Sequence, residues 1–337
     1  MHSRPEESGF DPVAKPEPRK HPAQPLEIAP EVAAALAAQR PVVALESTLI
    51  AHGLPWPLNL ETAREAEAAI RSEGAIPATI AVWEGRPTIG LEQAQLESLA
   101  RDPAVAKASR RDLAMMIAAR RTAATTVAAT MFLAHLAGIR VFATGGIGGV
   151  HRGAAETFDI SADLVELAHT PVCVVCSGAK TILDLPKTLE VLETYGVPVV
   201  GYATDEFPAF YVRSSGEPVD CRVDTPEEAA HVLQTHWQLH GAGVVLAQPP
   251  PMGLALSAAE FEDAFRRAEA DAREQKIKGK AVTPFLLVRL AHYTEGRTLQ
   301  VNRALVVENA RLAARVAGLL ARKTSLHSET AIEVNAV

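Results

Sequence analysis

Short apolar runs alternate with longer amphipathic stretches along this 337-residue chain, and the alternation repeats from about residue 40 to residue 250. Pro41–Glu46, Ile76–Trp83, Thr88–Ile89, Ile139–Ala143, Val172–Cys176, Val197–Tyr202 and Gly243–Ala247 are predicted as strands, mostly buried on both faces. Between them, Asn59–Glu73, Leu91–Arg101, Arg111–Arg121, Thr126–Ala137, Asp163–His169, Asp184–Tyr195 and Pro226–Leu239 are predicted as helices. The first of these takes Asn59 as N-cap and Gly74 as its stop. Glu84–Pro87 reads as a turn, and Ser257–Ala321 as a mostly helical end. Strands separated by helices imply an α/β fold with a mainly parallel sheet covered on both faces.

Composition narrows the possibilities. Apolar residues make up 48% of the chain and charged residues 22%, enough to build a full core without staples. One domain is expected over residues 26–322, with 1–25 and 323–337 as flexible tails. A net charge of -7 leaves no basic surface of the kind a general nucleic-acid binder needs, and no apolar stretch reaches membrane-spanning length. A small-molecule partner and a cytoplasmic location are the expectation. Three cysteines cannot all pair, which suits a reducing compartment. Cys173 and Cys176 have C-x-x-C spacing, but on a strand they point to opposite faces and read as core thiols.

In parallel sheets ligands collect at the carboxyl ends of strands, so polar residues following apolar runs carry the candidate chemistry. The run Val141–Ala143 feeds Thr144 and a glycine cluster ending in His151, Arg152 and Gly153, which reads either as a phosphate cradle or as a tight strand-to-helix turn. Glu46 closes another strand, as a proton donor or as a cap or ion-pair partner. Lys180 follows a third, as an imine-forming amine or as a surface lysine. Lys107, with Ser109, Arg110 and Arg111, opens a helical run that suits a phosphate or forms a solvated face. Thr125 and Thr126, before Val127, open the next helix as ligand contacts or as caps. Asp159 and Asp163 offer hard oxygen ligands for magnesium or manganese, with capping of the following helix as the alternative for Asp163.

Val43–Thr48, Pro77–Ala81, Lys107–Leu113, Ala124–Ala128, Val141–Gly153, Thr157–Asp163, Gly178–Lys180 and Thr283–Leu287 together resemble the pseudouridine-5′-phosphate glycosidases, the indigoidine synthase A-like family. The likeness runs in order from about residue 28 to about residue 320. It implies a three-layer α/β/α sandwich around a mainly parallel (mixed) sheet, and a homotrimer. The implied reaction is reversible cleavage of pseudouridine 5′-phosphate to uracil and ribose 5-phosphate with a divalent cation, typically Mn2+. Because base and sugar are joined by a carbon–carbon bond, the paired carboxylates of ordinary glycosidases do not suffice. An electron sink at the sugar is needed, and the resemblance supplies it as an imine between Lys180 and ring-opened ribose.

By the same resemblance Glu46 donates the proton to the uracil carbon and Asp159 ligates the metal. Lys107, Val127, Ser161, Ala162 and Asp163 contact substrate, while Thr144, the glycines and His151 cradle its phosphate. Either Asn302 or Asn309 also reaches the ligand. Ser177 departs from the family pattern, where alanine is common, and the two tails are additional. Two other readings use the same residues: a phosphosugar or nucleotide sensor without chemistry, and the same chemistry on a modified pyrimidine C-nucleotide.

Overall fold

The computed structural model describes residues 26–277 and 282–334. The expected N-terminal tail, 1–25, lies outside the described residues. The chain opens with β1 (Glu27–Ile28), α1 (Pro30–Ala37), β2 (Val42–Glu46) and a π-helical turn, Leu49–Gly53, and continues through α2 (Leu58–Ser72), β3 (Ile76–Trp83), β4 (Arg86–Ile89) and α3 (Gln93–Arg101). Then come β5 (Ala106–Ala108), α4 (Leu113–Ala118), β6 (Ala123–Thr125), α5 (Val127–Leu136), β7 (Val141–Ala143), β8 (Val150–His151), α6 (Ala154–Thr157), α7 (Ala162–Leu167) and β9 (Cys173–Cys176). The remainder is β10 (Leu183–Asp184), α8 (Leu185–Thr194), β11 (Val199–Tyr202), β12 (Cys221–Val223), α9 (Pro226–Gln238), β13 (Val244–Ala247), α10 (Ala258–Glu274), α11 (Val282–Tyr293) and α12 (Arg297–Val334).

The main sheet runs β1-β4-β3-β2-β7-β9-β13-β11-β12, with β6 joined to β3 and β5 joined to β6. Pairing is parallel from β3 through β12, whereas β4 and β6 run antiparallel to β3, so the sheet is mixed as expected. Helices α2 and α9 pack on α12, α5 packs on α7, and Glu31 of α1 pairs with Arg71 of α2 at 2.6 Å. Strands covered on both sides must be apolar throughout, and β7, β9 and β13 are buried at every position. Cys173 and Cys176 are fully buried within β9, and enclosure pushes the Cys176 thiol up to about 12. They are core thiols.

Several local expectations give way to tertiary packing. Asn59 is not an N-cap: it lies inside α2, where its side-chain amide donates to Ile50 O at 2.7 Å and Ala100 O at 2.9 Å, tying the π-helical turn to α3. The predicted helix 111–121 shortens to α4 behind a 3-10 turn, Arg110–Asp112, and the alanine-rich β5 and β6 flank it as strands. The long α12 continues to Val334, past the boundary at 322 expected for the C-terminal tail. No helix among the described residues is long and apolar enough to cross a membrane.

Candidate active site

Because β2, β7 and β9 are neighbours in parallel register, their carboxyl ends lie side by side. Glu46 ends β2, Thr144 follows β7, and the Ser177–Lys180 loop follows β9. Above them is a cavity of about 200 Å3 lined by Glu46, Thr48, Lys107, Ser109, Thr126, Val127, Gly148, His151, Ser161, Asp163, Lys180, Ile182 and Leu183. Lys107, Val127, His151, Ser161 and Asp163 thus meet Glu46 and Lys180 around one space. Thr144, Ala162 and Asp159 do not line it. Ile182 and Leu183, an apolar wall, are the lining residues that polar-residue reasoning could not single out.

The carboxyl of Glu46 is enclosed by protein, and burial pushes its pKa above the usual carboxylate range, with the nearby Asp163 in the same direction. The ammonium groups of Lys180 and Lys107 and a hydrogen bond from the Thr144 hydroxyl pull the other way and are outweighed. Lys107, on β5, is an exposed residue that lines the cavity, yet protein crowds its ammonium. That enclosure first, and then the charge of Lys180, hold its pKa below that of an ordinary lysine.

Helix α5 points its N-terminus at the cavity. Thr126 is its N-cap, accepting from Ala129 N, and the N–H of Val127 has no protein partner among the described residues. Asp163 does not cap the helix that contains it, because Ser161 does so. Its carboxylate instead accepts from Ala128 N and Gly148 N, both at 2.9 Å, pinning the start of α5 to the glycine loop.

Part of the glycine loop's backbone is committed to protein: Ile147 N donates to Gly178 O at 3.0 Å, Gly148 N to Asp163, Val150 N to Thr188 Oγ1 at 3.0 Å, and His151 N to Asp159 O at 3.0 Å. A Cβ on Gly146 would stand 2.6 Å from the Phe210 ring, and one on Gly149 2.4 Å from Thr188 Oγ1. At these two positions the missing Cβ makes room for neighbouring side chains. Thr144 is likewise spoken for, since its hydroxyl donates to Glu46 Oε1 and its exposure is only 2%. Arg110 and Arg152 are drawn away as well: Arg110 pairs with Glu166 at 2.9 Å and covers Phe132, and Arg152 pairs with Glu262 at 3.5 Å over Phe265.

Of the two candidate asparagines, Asn309 donates to Thr144 O at 2.9 Å and Ser177 Oγ at 3.1 Å and so supports the site from behind. Asn302 shares the same face of α12 seven residues earlier, and its buried Oδ1 has no hydrogen-bond partner. Asp159 is exposed, with its carboxylate 4.0 Å from His151 Nδ1. Among the described residues no three His, Cys, Asp or Glu side chains converge as a metal cage. One carboxylate of this kind fits only a hard cation held largely by water and by the ligand's own oxygens. A larger groove of about 820 Å3 runs between α2 and α12 past Tyr202 and Gln248, but it holds none of the expected site residues. Its arginines are neutralised, Arg303 by Glu65 and Arg315 by Glu73.

A strand-end cleft that faces an enclosed acid toward two lysines and a helix N-terminus defines an α/β enzyme built for an anionic small molecule. Residues 31–319 match the family described as indigoidine synthase A-like protein, and the chain belongs to that family. The pseudouridine-5′-phosphate glycosidase of Caldanaerobacter subterraneus subsp. tengcongensis is 55% identical over 293 residues, covering 87% of this chain and 95% of that one. That of Methylobacterium nodulans is 57% identical over 293 residues, 87% of each chain. Among solved structures, a prealnumycin C-glycosynthase in complex with ribulose 5-phosphate superposes with a TM-score of 0.84 at 41% identity, covering 90% of this chain and 99% of that one. An indigoidine synthase A-like protein from Thermotoga maritima gives 0.80 at 36%, covering 88% and 97%.

Proposed function

We propose that this protein is a pseudouridine-5′-phosphate glycosidase that cleaves its substrate to uracil and ribose 5-phosphate through an imine on Lys180. The observation that carries this reading is the approach of an enclosed, hard-to-ionise carboxyl and a lysine amine around one cavity. The Lys180 amine bonds to the anomeric carbon as the ring oxygen leaves with its electron pair and takes up the proton that the amine nitrogen sheds. Glu46, whose proton burial helps to retain, delivers it to the uracil carbon. The carbon–carbon bond then breaks with its electrons passing to uracil, and the Lys180 nitrogen lone pair forms the imine. Water hydrolyses the imine, releasing ribose 5-phosphate and the free lysine.

The phosphate is assigned to donors that face the cavity: the Val127 N–H at the start of α5, with Lys107, Ser109 and His151 around it. A lysine whose pKa is depressed still serves as a cation once a dianion sits beside it. Asp159 would hold a divalent cation, manganese in the reading by resemblance, and the ion when bound supplies neutralisation of phosphate charge. Homotrimeric assembly belongs to the same proposal, as does a cytoplasmic setting, which the three free cysteines support. Identities of 55% and 57% to the glycosidases against 41% to the C-glycosynthase favour pseudouridine 5′-phosphate over a modified C-nucleotide.

The direct test is release of uracil from pseudouridine 5′-phosphate, with and without added manganese, beside uridine 5′-phosphate and unphosphorylated pseudouridine. Turnover of the first and neglect of the other two is expected. Ligand-dependent thermal stabilisation without any uracil release would instead mark a sensor.

A further inference from the structure

We propose that Thr144 is a positioning residue for proton transfer: its hydroxyl fixes the Glu46 carboxyl so that Oε2, not Oε1, carries the transferable proton. This rests on the glycosidase reading above. Both hydrogen-bond donors of Thr144 are used within the protein. Its amide donates to Val175 O at 3.0 Å, its carbonyl accepts from Asn309 Nδ2 at 2.9 Å, and its hydroxyl donates to Glu46 Oε1. A carboxyl oxygen that accepts such a bond behaves as the carbonyl oxygen, which leaves the proton on its partner.

The anchor for that hydroxyl is unusually complete. Asn309, fully buried on α12, donates from the same Nδ2 to Thr144 O and to Ser177 Oγ at 3.1 Å. Ser177 lies three residues before Lys180, and its N–H donates to Gly145 O at 2.9 Å. One amide therefore references both the residue behind Glu46 and the loop that carries Lys180 to a single helix. The Ser177 hydroxyl is what lets this loop bond to Asn309.

Replacing Thr144 by valine removes the hydroxyl at nearly constant volume, and Thr144→Ser keeps it. The groups facing Glu46 are Lys180 from the β9 loop, Lys107 from β5, Asp163 from α7 and Thr144 itself. Only the last changes. Loss of one hydrogen bond to a charged carboxylate raises its proton affinity about tenfold, so the basic limb of kcat/KM moves up by about one pH unit in Thr144→Val. Below that limb kcat falls about tenfold or more as the acid loses its fixed direction, while KM stays within about twofold. Thr144→Ser restores both. A raised KM with an unmoved limb would return Thr144 to the phosphate site and overturn the proposal, as would a loss that is uniform across pH and shared by the serine variant. Infrared titration of the Glu46 carboxyl in the ligand-free protein, assigned against Glu46→Gln, gives a readout independent of substrate. An unchanged titration in Thr144→Val, or in Thr144→Ala should the valine variant not fold, also overturns it. A shifted titration in a protein that never releases uracil would sink the glycosidase reading alone and leave the hydrogen-bond role standing.

Discussion

Gly178→Ala tests whether the loop holding Lys180 is set by packing. Gly178 has φ +77°, and a methyl group there would stand 1.8 Å from Pro208 O and 2.8 Å from Pro208 C. The first contact is more than an ångström inside van der Waals range, and the obstacle is backbone, which cannot rotate aside. Left-handed backbone with a Cβ costs about 1–2 kcal/mol, and forcing an atom into a filled space about 1–3 kcal/mol more. The sum, about 2–5 kcal/mol, is a large share of a typical domain's stability. The segment that must retreat is bound to the site loop at both ends, since Phe210 N donates to Ser177 O at 2.9 Å and Thr181 Oγ1 donates to Ala209 O. Lys180 lies between those anchors and would move with them, so kcat should fall about 100-fold or more, beyond any loss of folded protein. Gly74→Ala is the control: its φ of +81° is nearly the same, but nothing lies within 4 Å of the added methyl. It should cost about 1 kcal/mol and leave turnover intact. Urea unfolding and uracil release on both variants decide the matter. Equal destabilisation, or an active Gly178→Ala enzyme, would refute the packing argument.

Two further outcomes follow from the site's electrostatics. Folding raises the pKa of Glu46, so the native state holds its proton more tightly than the unfolded chain, and this contribution is full below the unfolded value near 4.5 and lost as pH rises through the folded one. Glu46→Gln should therefore be inactive yet more stable than the wild type at pH 7, with the gain vanishing as pH falls below the unfolded value near 4.5 in paired thermal melts. A gain that persists at low pH would contradict that assignment. Asp163→Ala should orphan Ala128 N and Gly148 N together and cost about 2–4 kcal/mol by urea titration. A loss under about 1 kcal/mol would show that water replaces the carboxylate and that the trans cap is weak.

The parts of the site legible in sequence are those governed by local pattern. Glu46 and Lys180 stand out because each follows an apolar run, and β2, β7, β9 and β13 are such runs. What remained hidden depends on long-range partners. Asp163 carries a cap signal for its own helix, and only the fold reveals that it serves α5, 35 residues earlier. That Gly146 and Gly149 make room for Phe210 and Thr188 is likewise visible only in the fold. Thr144 finds its partner 98 residues away. Strands β5 and β6 escaped notice because alanine favours helices, and their pairing with each other and of β6 with β3 outweighs that preference in the fold.

The claim on which the rest depends is a covalent bond between Lys180 and the sugar. Borohydride added to the protein with ribose 5-phosphate should fix a single reduced adduct, which peptide mass spectrometry locates on Lys180 and which Lys180→Ala does not form. Labelling of that variant to the wild-type extent, or an adduct carried by Lys107 in its place, would contradict the account.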